Sequence, residues 1–236
     1  MRLDQYLAEQ CGVQSRNKAQ ELVKAGKVRV AGSVVTKPSH KVGEGEAVEI
    51  EQTEMYVSRA AQKLKGFLPK LPFTPEGMDA LDIGASTGGF TQVLLEAGAN
   101  RVDAVDVGSD QLHPLLRGDA RVRSFERTDI REFDPGHAYE LVVSDVSFIS
   151  LLHILDAVDR LASKWIILLF KPQFEVGRDA KRDRNGVLKD DKAVVRAMLA
   201  FEDACMVRGW EQIATEESKL AGKEGNVEYC YCFKKR

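Results

Sequence analysis

Two lysines and two acids occupy positions where charge is costly unless it is used. Lys171 directly follows the apolar run "IILLF", and Asp145 follows "LVVS" in the same way. A charged group beside a buried strand must be paired or functional. Lys63 lies at the edge of an apolar helical stripe, and Glu228 lies in a late strand-like segment. A lysine in its neutral form accepts a proton, so this set is a candidate for general-base catalysis.

The stretch "DIGASTGGF", residues 82–90, is typical of a cofactor-binding loop. Gly84 and Gly89 match the outer glycines of G-x-G-x-x-G, but Ser86 replaces the middle one. A dinucleotide and S-adenosylmethionine both fit such a loop, and two adjacent glycines favour the second. Asp106 and Asp129 are predicted to end the next two strands, where they could hold ribose hydroxyls and an adenine edge or amino group. The predicted cofactor-binding residues are Asp82, Gly84, Ala85, Ser86, Thr87, Gly88, Gly89, Phe90, Asp106 and Asp129.

Alternating strands and helices must position these residues. From Met78 onward the chain reads as repeated strand–helix units, which predicts an α/β fold with a doubly wound, mostly parallel sheet. The carboxyl ends of parallel strands meet at one edge, so Asp145 and Lys171, after the fourth and fifth strands, are expected side by side. The last strand, with Glu228, is expected beside the fifth. Ser58 is predicted to cap the helix that carries Lys63.

The N-terminal part differs from this body in charge. Residues 1–41 hold eight Lys and Arg against three Asp and Glu, whereas the net charge of all 236 residues is −2. Apolar spacing predicts two helices, the second capped by Ser15 and ended by Gly26, followed by short strands. A basic helix start favours phosphate contacts. From charge alone, a basic face that is only solvated is about as good an interpretation as one that contacts phosphates.

Residues 1–50 resemble the α-L RNA-binding domain named for the small-subunit ribosomal protein S-four. The matched features include Arg2-Leu3-Asp4, Ser15-Arg16 and Lys37-Pro38-Ser39, and Ala31 departs from the Asn that the family often has. The resemblance implies a small α+β domain that binds structured RNA. The candidate RNA contacts are Arg2, Arg16, Lys18, Lys24, Lys37 and Arg59.

The motifs "SRAAQKL", "LDIGASTGGFT", "SDVSF", "KPQFE" and "GNVEY" resemble the TlyA family, within the FtsJ-type 2′-O-methyltransferases. The resemblance implies a Rossmann-like class I methyltransferase sheet with an antiparallel last strand. It implies S-adenosyl-L-methionine as cofactor, S-adenosyl-L-homocysteine as product, and ribosomal RNA or a ribosomal subunit as partner. A large-subunit cytidine is the implied target. The family's Lys-Asp-Lys-Glu tetrad corresponds to Lys63, Asp145, Lys171 and Glu228.

The expected organisation is an RNA-binding domain at 1–54 and a methyltransferase domain at 55–236, in which 55–70 form a linker and leading helix. We expect a cytoplasmic monomer without metal or membrane contact. The first residues are too charged for a signal peptide, and the longest apolar run, residues 165–170, is far below the ~18 residues of a membrane span. The polar segment 175–191 is expected to be a mobile loop that orders over RNA, with a disordered surface loop without a role as the equally weighted alternative.

Other functions remain open at this point. Amino-group methylation usually relies on an Asn/Asp-Pro-Pro-aromatic turn, whereas residues 144–148 read "SDVSF". Carbon methylation needs a cysteine at the crevice, and an NAD-binding oxidoreductase needs a hydride-donor pocket; neither has an obvious candidate. A non-catalytic RNA-binding protein that retains a cofactor fold is the main alternative. A haemolysin, the label often given to family members, is disfavoured by the lack of an apolar span.

Overall fold

A computed structural model describes residues 1–13, 15–43, 45–50, 56–177 and 179–236. They fall into two units, Met1–Met55 and Tyr56–Arg236. The domain boundary expected after residue 54 lies outside the described residues, so its position stays a prediction.

The first unit contains two helices and a three-stranded sheet of order β2-β1-β3. Ser15 Oγ accepts a hydrogen bond from Lys18 N at 3.2 Å, which confirms the predicted N-cap. Apolar residues of both helices and of β1 form one small core. The elements are α1 (Leu3–Gln10), α2 (Arg16–Lys24), β1 (Val28–Val30), β2 (Ser33–Val34) and β3 (Val48–Ile50).

The turn between β1 and β2 shows what the departure at Ala31 costs. Val30 pairs with Ser33, so Ala31 and Gly32 form a two-residue turn with φ angles of 48° and 78°. Glycine accepts a left-handed backbone without penalty, whereas alanine is strained there by roughly 1 kcal/mol. Asparagine tolerates this conformation better.

The second unit alternates strands and helices as the sequence predicted. Short 3-10 turns at Leu68–Lys70 and Leu151–His153 interrupt the pattern. The elements are α3 (Ala60–Phe67), β4 (Asp79–Ile83), α4 (Gly89–Glu96), β5 (Arg101–Val105), α5 (Pro114–Arg117), β6 (Val122–Phe125), β7 (Tyr139–Ser144), α6 (Leu155–Leu161), β8 (Ala162–Phe170), α7 (Pro172–Glu175), α8 (Asp191–Val207), β9 (Trp210–Glu217) and β10 (Tyr229–Lys235).

The seven strands form one sheet of order β6-β5-β4-β7-β8-β10-β9. Strands β4 to β8 are parallel, and β10 runs antiparallel to β8. This confirms the mostly parallel α/β sheet with an antiparallel last strand. Because Tyr229 pairs with Phe170, the preceding Glu228 is delivered next to Lys171.

Both faces of the sheet are covered, which is why its central strands are apolar throughout. One core cluster packs α3 and α4 on β4, β7 and β8, and the other packs α6 and α8 on the opposite face. The predicted cap of α3 is wrong: Arg59, not Ser58, is the N-cap residue and makes no side-chain capping bond. Within the described part of the chain, no helix has the length and apolar character needed to cross a membrane.

Candidate active site

Two buried ion pairs meet at the carboxyl ends of β7 and β8. Lys171 Nζ lies 2.6 Å from Asp145 Oδ1, and these side chains are 8% and 13% exposed. Lys63 Nζ lies 2.5 Å from Glu228 Oε2, with side chains 9% and 3% exposed. The structure therefore brings the four predicted residues together in two pairs. The two positive and two negative charges offset one another, which makes their burial tolerable.

The charges of this quartet act on Asp145 in opposite directions. Burial raises the pKa of Asp145, while the positive charges of Lys171 and Lys63 favour its ionised form. Glu228 adds a negative charge that raises the pKa of Asp145 further. Asp145 therefore remains sensitive to any charge that enters the crevice.

Sequence reasoning missed two neighbours of the quartet. Lys171 Nζ donates a hydrogen bond to Ser147 Oγ at 2.8 Å. Gln173 Nε2 donates to Glu228 Oε1 at 3.0 Å, while Gln173 Oε1 is buried without a hydrogen-bond partner. Both residues stand two positions after a quartet member, so an i+2 search within "SDVSF" and "KPQFE" would have found them.

The glycine-containing loop lies between β4 and α4, so it has the predicted strand before it and the predicted helix after it. Gly84 and Gly88 have φ angles of 77° and 94°, where a side chain is strained. A Cβ at Gly88 would come within 2.3 Å of Leu116 Cδ1. Asp106, directly after β5, accepts hydrogen bonds from Ser86 N at 2.8 Å and Gly108 N at 2.7 Å. Asp106 thus fixes the loop and still lines the neighbouring cavity.

Asp82 is a buried acid with one oxygen left free. Its Oδ2 accepts hydrogen bonds from Thr91 N at 2.9 Å and Thr91 Oγ1 at 2.6 Å. Its Oδ1 is buried without a hydrogen-bond partner. Burial raises the pKa of Asp82 to about 7, against the opposing effect of Thr91. A cationic group placed at Oδ1 would stabilise the carboxylate.

Two adjoining cavities run along the strand ends. The larger, about 520 Å³, is lined by apolar side chains together with Asp106 and Asp129. The smaller, about 170 Å³, extends from Asp82 to Lys171 and includes Ala85, Thr87, Gly89 and Phe90 among its walls. The two share Gly84, Ser86, Asp145 and Ser147.

The position of Asp129 differs from the prediction. Strand β6 ends at Phe125, so Asp129 lies four residues beyond it and not at its end. Its carboxylate is held by Arg131, with Oδ2 at 2.5 Å from Nη2, and this pairing lowers the pKa of Asp129. The Thr-Asp turn after the strand was not recognisable from strand periodicity alone. Asp129 nevertheless lines the larger cavity.

Part of the segment after Lys171 folds back on itself. Arg182 and Leu188 form an antiparallel bridge, and Asp183 Oδ1 accepts hydrogen bonds from the backbone N–H groups of Asn185 and Val187. Asn226 Oδ1 accepts from Leu188 N at 2.9 Å, which ties the turn to the chain before β10. Residues 182–188 of the expected mobile loop thus form a hairpin-like turn, and the ordering of the loop over RNA stays a prediction.

The basic residues of the first unit fall into two groups. Arg2 and Arg16 both donate hydrogen bonds to the buried Asp4, although their side chains remain about half exposed. Lys18 pairs with Glu21 at the surface at 3.3 Å, and Lys24 and Lys37 are exposed. In the second unit, Arg59 is exposed and its Nη2 lies 3.4 Å from Ala221 O.

Among the described residues, no group of three or more His, Cys, Asp and Glu could hold a metal ion.

The chain matches two family models. FtsJ-like methyltransferase matches residues 56–235, and S4 domain matches residues 1–48. These matches confirm both resemblances that the sequence suggested.

Known relatives are similar over most of the chain. The 23S rRNA (cytidine-2′-O)-methyltransferase TlyA of Campylobacter jejuni is 52% identical over 181 residues, which cover 77% of this chain and 72% of the relative. The 16S/23S rRNA (cytidine-2′-O)-methyltransferase TlyA of Mycobacterium tuberculosis is 42% identical over 235 residues, 97% of this chain and 87% of the relative. A solved Streptococcus thermophilus structure named as a hemolysin has a TM-score of 0.71 at 35% identity, covering 100% of this chain and 88% of the other.

Proposed function

The chain belongs to the FtsJ-like methyltransferase family, and from this premise we propose that it is a ribosomal RNA cytidine-2′-O-methyltransferase. The observation that carries the proposal is the buried Lys63, Asp145, Lys171 and Glu228 quartet beside a glycine-lined cavity. A lysine at the end of the crevice suits removal of a proton from a hydroxyl, and the ribose 2′-hydroxyl distinguishes RNA from DNA.

We propose S-adenosyl-L-methionine as the cofactor, which supplies an activated methyl group and leaves as S-adenosyl-L-homocysteine. The free Oδ1 of Asp82 suits the amine of an amino acid, and Gly84 and Gly89 line the same small cavity. Asp106 and Asp129 both line the larger cavity, and in this proposal Asp106 accepts hydrogen bonds from ribose hydroxyls. The loop residues Gly84, Ala85, Ser86, Thr87, Gly88, Gly89 and Phe90 complete the proposed cofactor site.

The four residues of the quartet have different roles in this proposal. Lys171 is the general base for the 2′-hydroxyl, and Asp145 orients it through their ion pair. Lys63 and Glu228 hold the ribose and balance the charge, with Gln173 fixing Glu228 from its other oxygen. The positive charge of Lys63 also favours the ionised form of Asp145, which links the two pairs electrostatically.

The first unit supplies RNA affinity in this proposal, through Arg2, Arg16, Lys18, Lys24 and Lys37, with Arg59 in the second unit. We assign the RNA-binding domain to residues 1–54 and the methyltransferase domain, including a linker and leading helix at 55–70, to residues 55–236. The relatives from Campylobacter jejuni and Mycobacterium tuberculosis are both named for 23S rRNA, which supports a large-subunit cytidine as the target. Such a substrate implies a cytoplasmic enzyme, and we propose that it acts as a monomer.

Mass mapping of ribosomal RNA tests this function. RNA from cells with the protein should carry a 2′-O-methylcytidine that is absent from cells lacking it. Wild-type protein should restore the mark, and Lys171→Ala should not, although both are present at equal level. A mark on a base instead of a ribose would assign a different reaction, and unchanged RNA would indicate a non-catalytic RNA-binding protein.

A further inference from the structure

Lys171 is buried behind a more exposed hydroxyl. The side chain of Lys171 is 8% exposed, whereas Ser147 is exposed to solvent. The Nζ atom lies 2.8 Å from Ser147 Oγ, 2.6 Å from Asp145 Oδ1 and 3.4 Å from Asp145 O. Ser147 is therefore the partner of Lys171 that a hydroxyl entering the crevice can reach first.

The surroundings of Ser147 suit contact with both substrates of a methyl transfer. Ser147 lines the larger and the smaller cavity, while Lys171 lines only the smaller. The loop that carries Ser147 is anchored by Glu175, which accepts hydrogen bonds from Ser150 Oγ at 2.5 Å and Leu151 N at 2.8 Å. A fixed loop keeps the hydroxyl in place between the cavities and the buried amine.

We propose that Ser147 is a further catalytic residue, which relays the proton of the 2′-hydroxyl to Lys171; the inference rests on the proposed function. A serine hydroxyl both donates and accepts, so it accepts from a charged lysine and donates to a neutral one. The step starts from Lys171 in its neutral form: the ribose O–H bond breaks and its proton moves to Ser147 Oγ, while the Ser147 proton moves to Lys171 Nζ, which becomes the ammonium. The electron pair left on the ribose oxygen forms the bond to the methyl group, and the pair of the broken sulfur–methyl bond stays on sulfur.

Single-turnover methylation of the ribosomal RNA substrate by Ser147→Ala tests the relay. Its rate should fall ~10²-fold, the scale of a lost proton-transfer group, with cofactor and RNA binding retained. Ser147→Thr keeps a hydroxyl and should recover most of the lost rate. Ser163→Ala is the matched control, because Ser163 Oγ donates to Tyr139 O at the opposite end of β8. A wild-type enzyme that methylates no ribose would overturn the proposed function itself.

A proton inventory separates a relay from a serine that merely positions Lys171. In mixtures of H₂O and D₂O, two protons in flight give a curved dependence of the wild-type single-turnover rate on deuterium fraction. Ser147→Ala should give a linear dependence, since one proton then moves. A linear wild-type plot, or Ser147→Ala at the normal rate, would overturn the relay while leaving 2′-O-methylation intact.

Discussion

Carboxylates are buried at both ends of the strands of the sheet, but they differ in whether each carboxylate oxygen has a hydrogen-bond donor. We call a carboxylate complete when both of its oxygens have a donor. Near the amino ends of β6 and β7, Asp103 in the middle of β5 is fully buried and accepts hydrogen bonds from Arg123 and from Tyr139 OH at 2.6 Å. Burial and the neighbouring Asp103 raise the pKa of Tyr139, so the phenol stays a donor. Arg101 Nε, nearby, lacks a hydrogen-bond partner, but both oxygens of Asp103 have donors.

At the carboxyl ends, the buried acids are left incomplete. Asp82 Oδ1 has no hydrogen-bond donor, and Asp145 Oδ1 is held by the charge of Lys171 without an aligned hydrogen bond. An unsatisfied buried polar atom costs about 1–3 kcal/mol. In the proposed function, this difference separates acids that stabilise the fold from acids that receive a ligand.

The largest expected effect is on stability at the completed end. Asp103→Ala removes the acceptor of Arg123 and Tyr139 and should lower the free energy of unfolding by about 3 kcal/mol, since breaking a buried pair is costly. Denaturant unfolding measures this, and calorimetry should show unchanged cofactor binding. Asp119→Ala is the matched control, because Asp119 pairs with Arg121 at the surface, where such pairs contribute roughly 0–1 kcal/mol. Lost cofactor binding at unchanged stability would contradict the comparison.

The next effect is on turnover at the incomplete end. Lys171→Arg keeps a positive charge beside Asp145, but guanidinium does not lose its proton and cannot act as a base. The single-turnover rate should fall ~10²-fold or more, while cofactor and RNA binding remain. Lys235→Arg is the control. Lys235 pairs with Asp159 at a distance of 3.2 Å, near the end of β8 that lies away from Lys171. A nearly normal rate for Lys171→Arg would reduce Lys171 to a structural charge.

The sequence predicts the positions of charged residues better than their partners. Lys171 and Asp145 could be placed side by side because both end parallel strands, and the pairing of β7 with β8 confirms this. Asp129 was misplaced because a turn, not strand periodicity, sets its position. Ser147 could have been noted as a hydroxyl two positions after Asp145, but its hydrogen bond to Lys171 joins two loops and no local pattern records it.

The pH dependence of cofactor binding tests whether Asp82 is incomplete because an amine belongs there. Burial raises the pKa of Asp82 to about 7, so in the free protein Asp82 is increasingly protonated below that pH. A cationic amine favours the carboxylate, so the Kd for S-adenosyl-L-methionine should rise as pH falls below 7, approaching ~10-fold per pH unit. Asp82→Asn should bind more weakly and flatten this dependence. Calorimetry showing the same Kd from pH 5.5 to 8 for the wild type would remove Asp82 from the amine site.

The smallest expected effect concerns a completed carboxylate in the RNA-binding unit. Asp4 is fully buried and accepts from Arg2 at 3.0 Å, Arg16 at 3.1 Å and Gln20 at 2.8 Å. The resulting low pKa of Asp4 means that its stabilising contribution is present above the unfolded pKa of about 4 and is lost as pH falls further. Like Arg123 beside Asp103, Arg16 therefore stabilises the fold through a buried carboxylate, in addition to any contact it makes with an RNA phosphate.

Lys18 offers the cleaner test of RNA contact, because its partner Glu21 lies at the surface. Lys18→Gln should make the plot of log K for RNA binding against log salt concentration shallower by about 1, the value for one lost phosphate contact. The free energy of unfolding should not change. Arg16→Gln should lower the slope similarly and also destabilise the unit, since Asp4 loses a donor. Lys70→Gln removes another lysine paired with a carboxylate, Glu216, and should leave the slope unchanged. If Lys18→Gln and Arg16→Gln both leave the slope unchanged, the basic face of this helix does not contact RNA phosphates, and Arg16 serves only to complete Asp4.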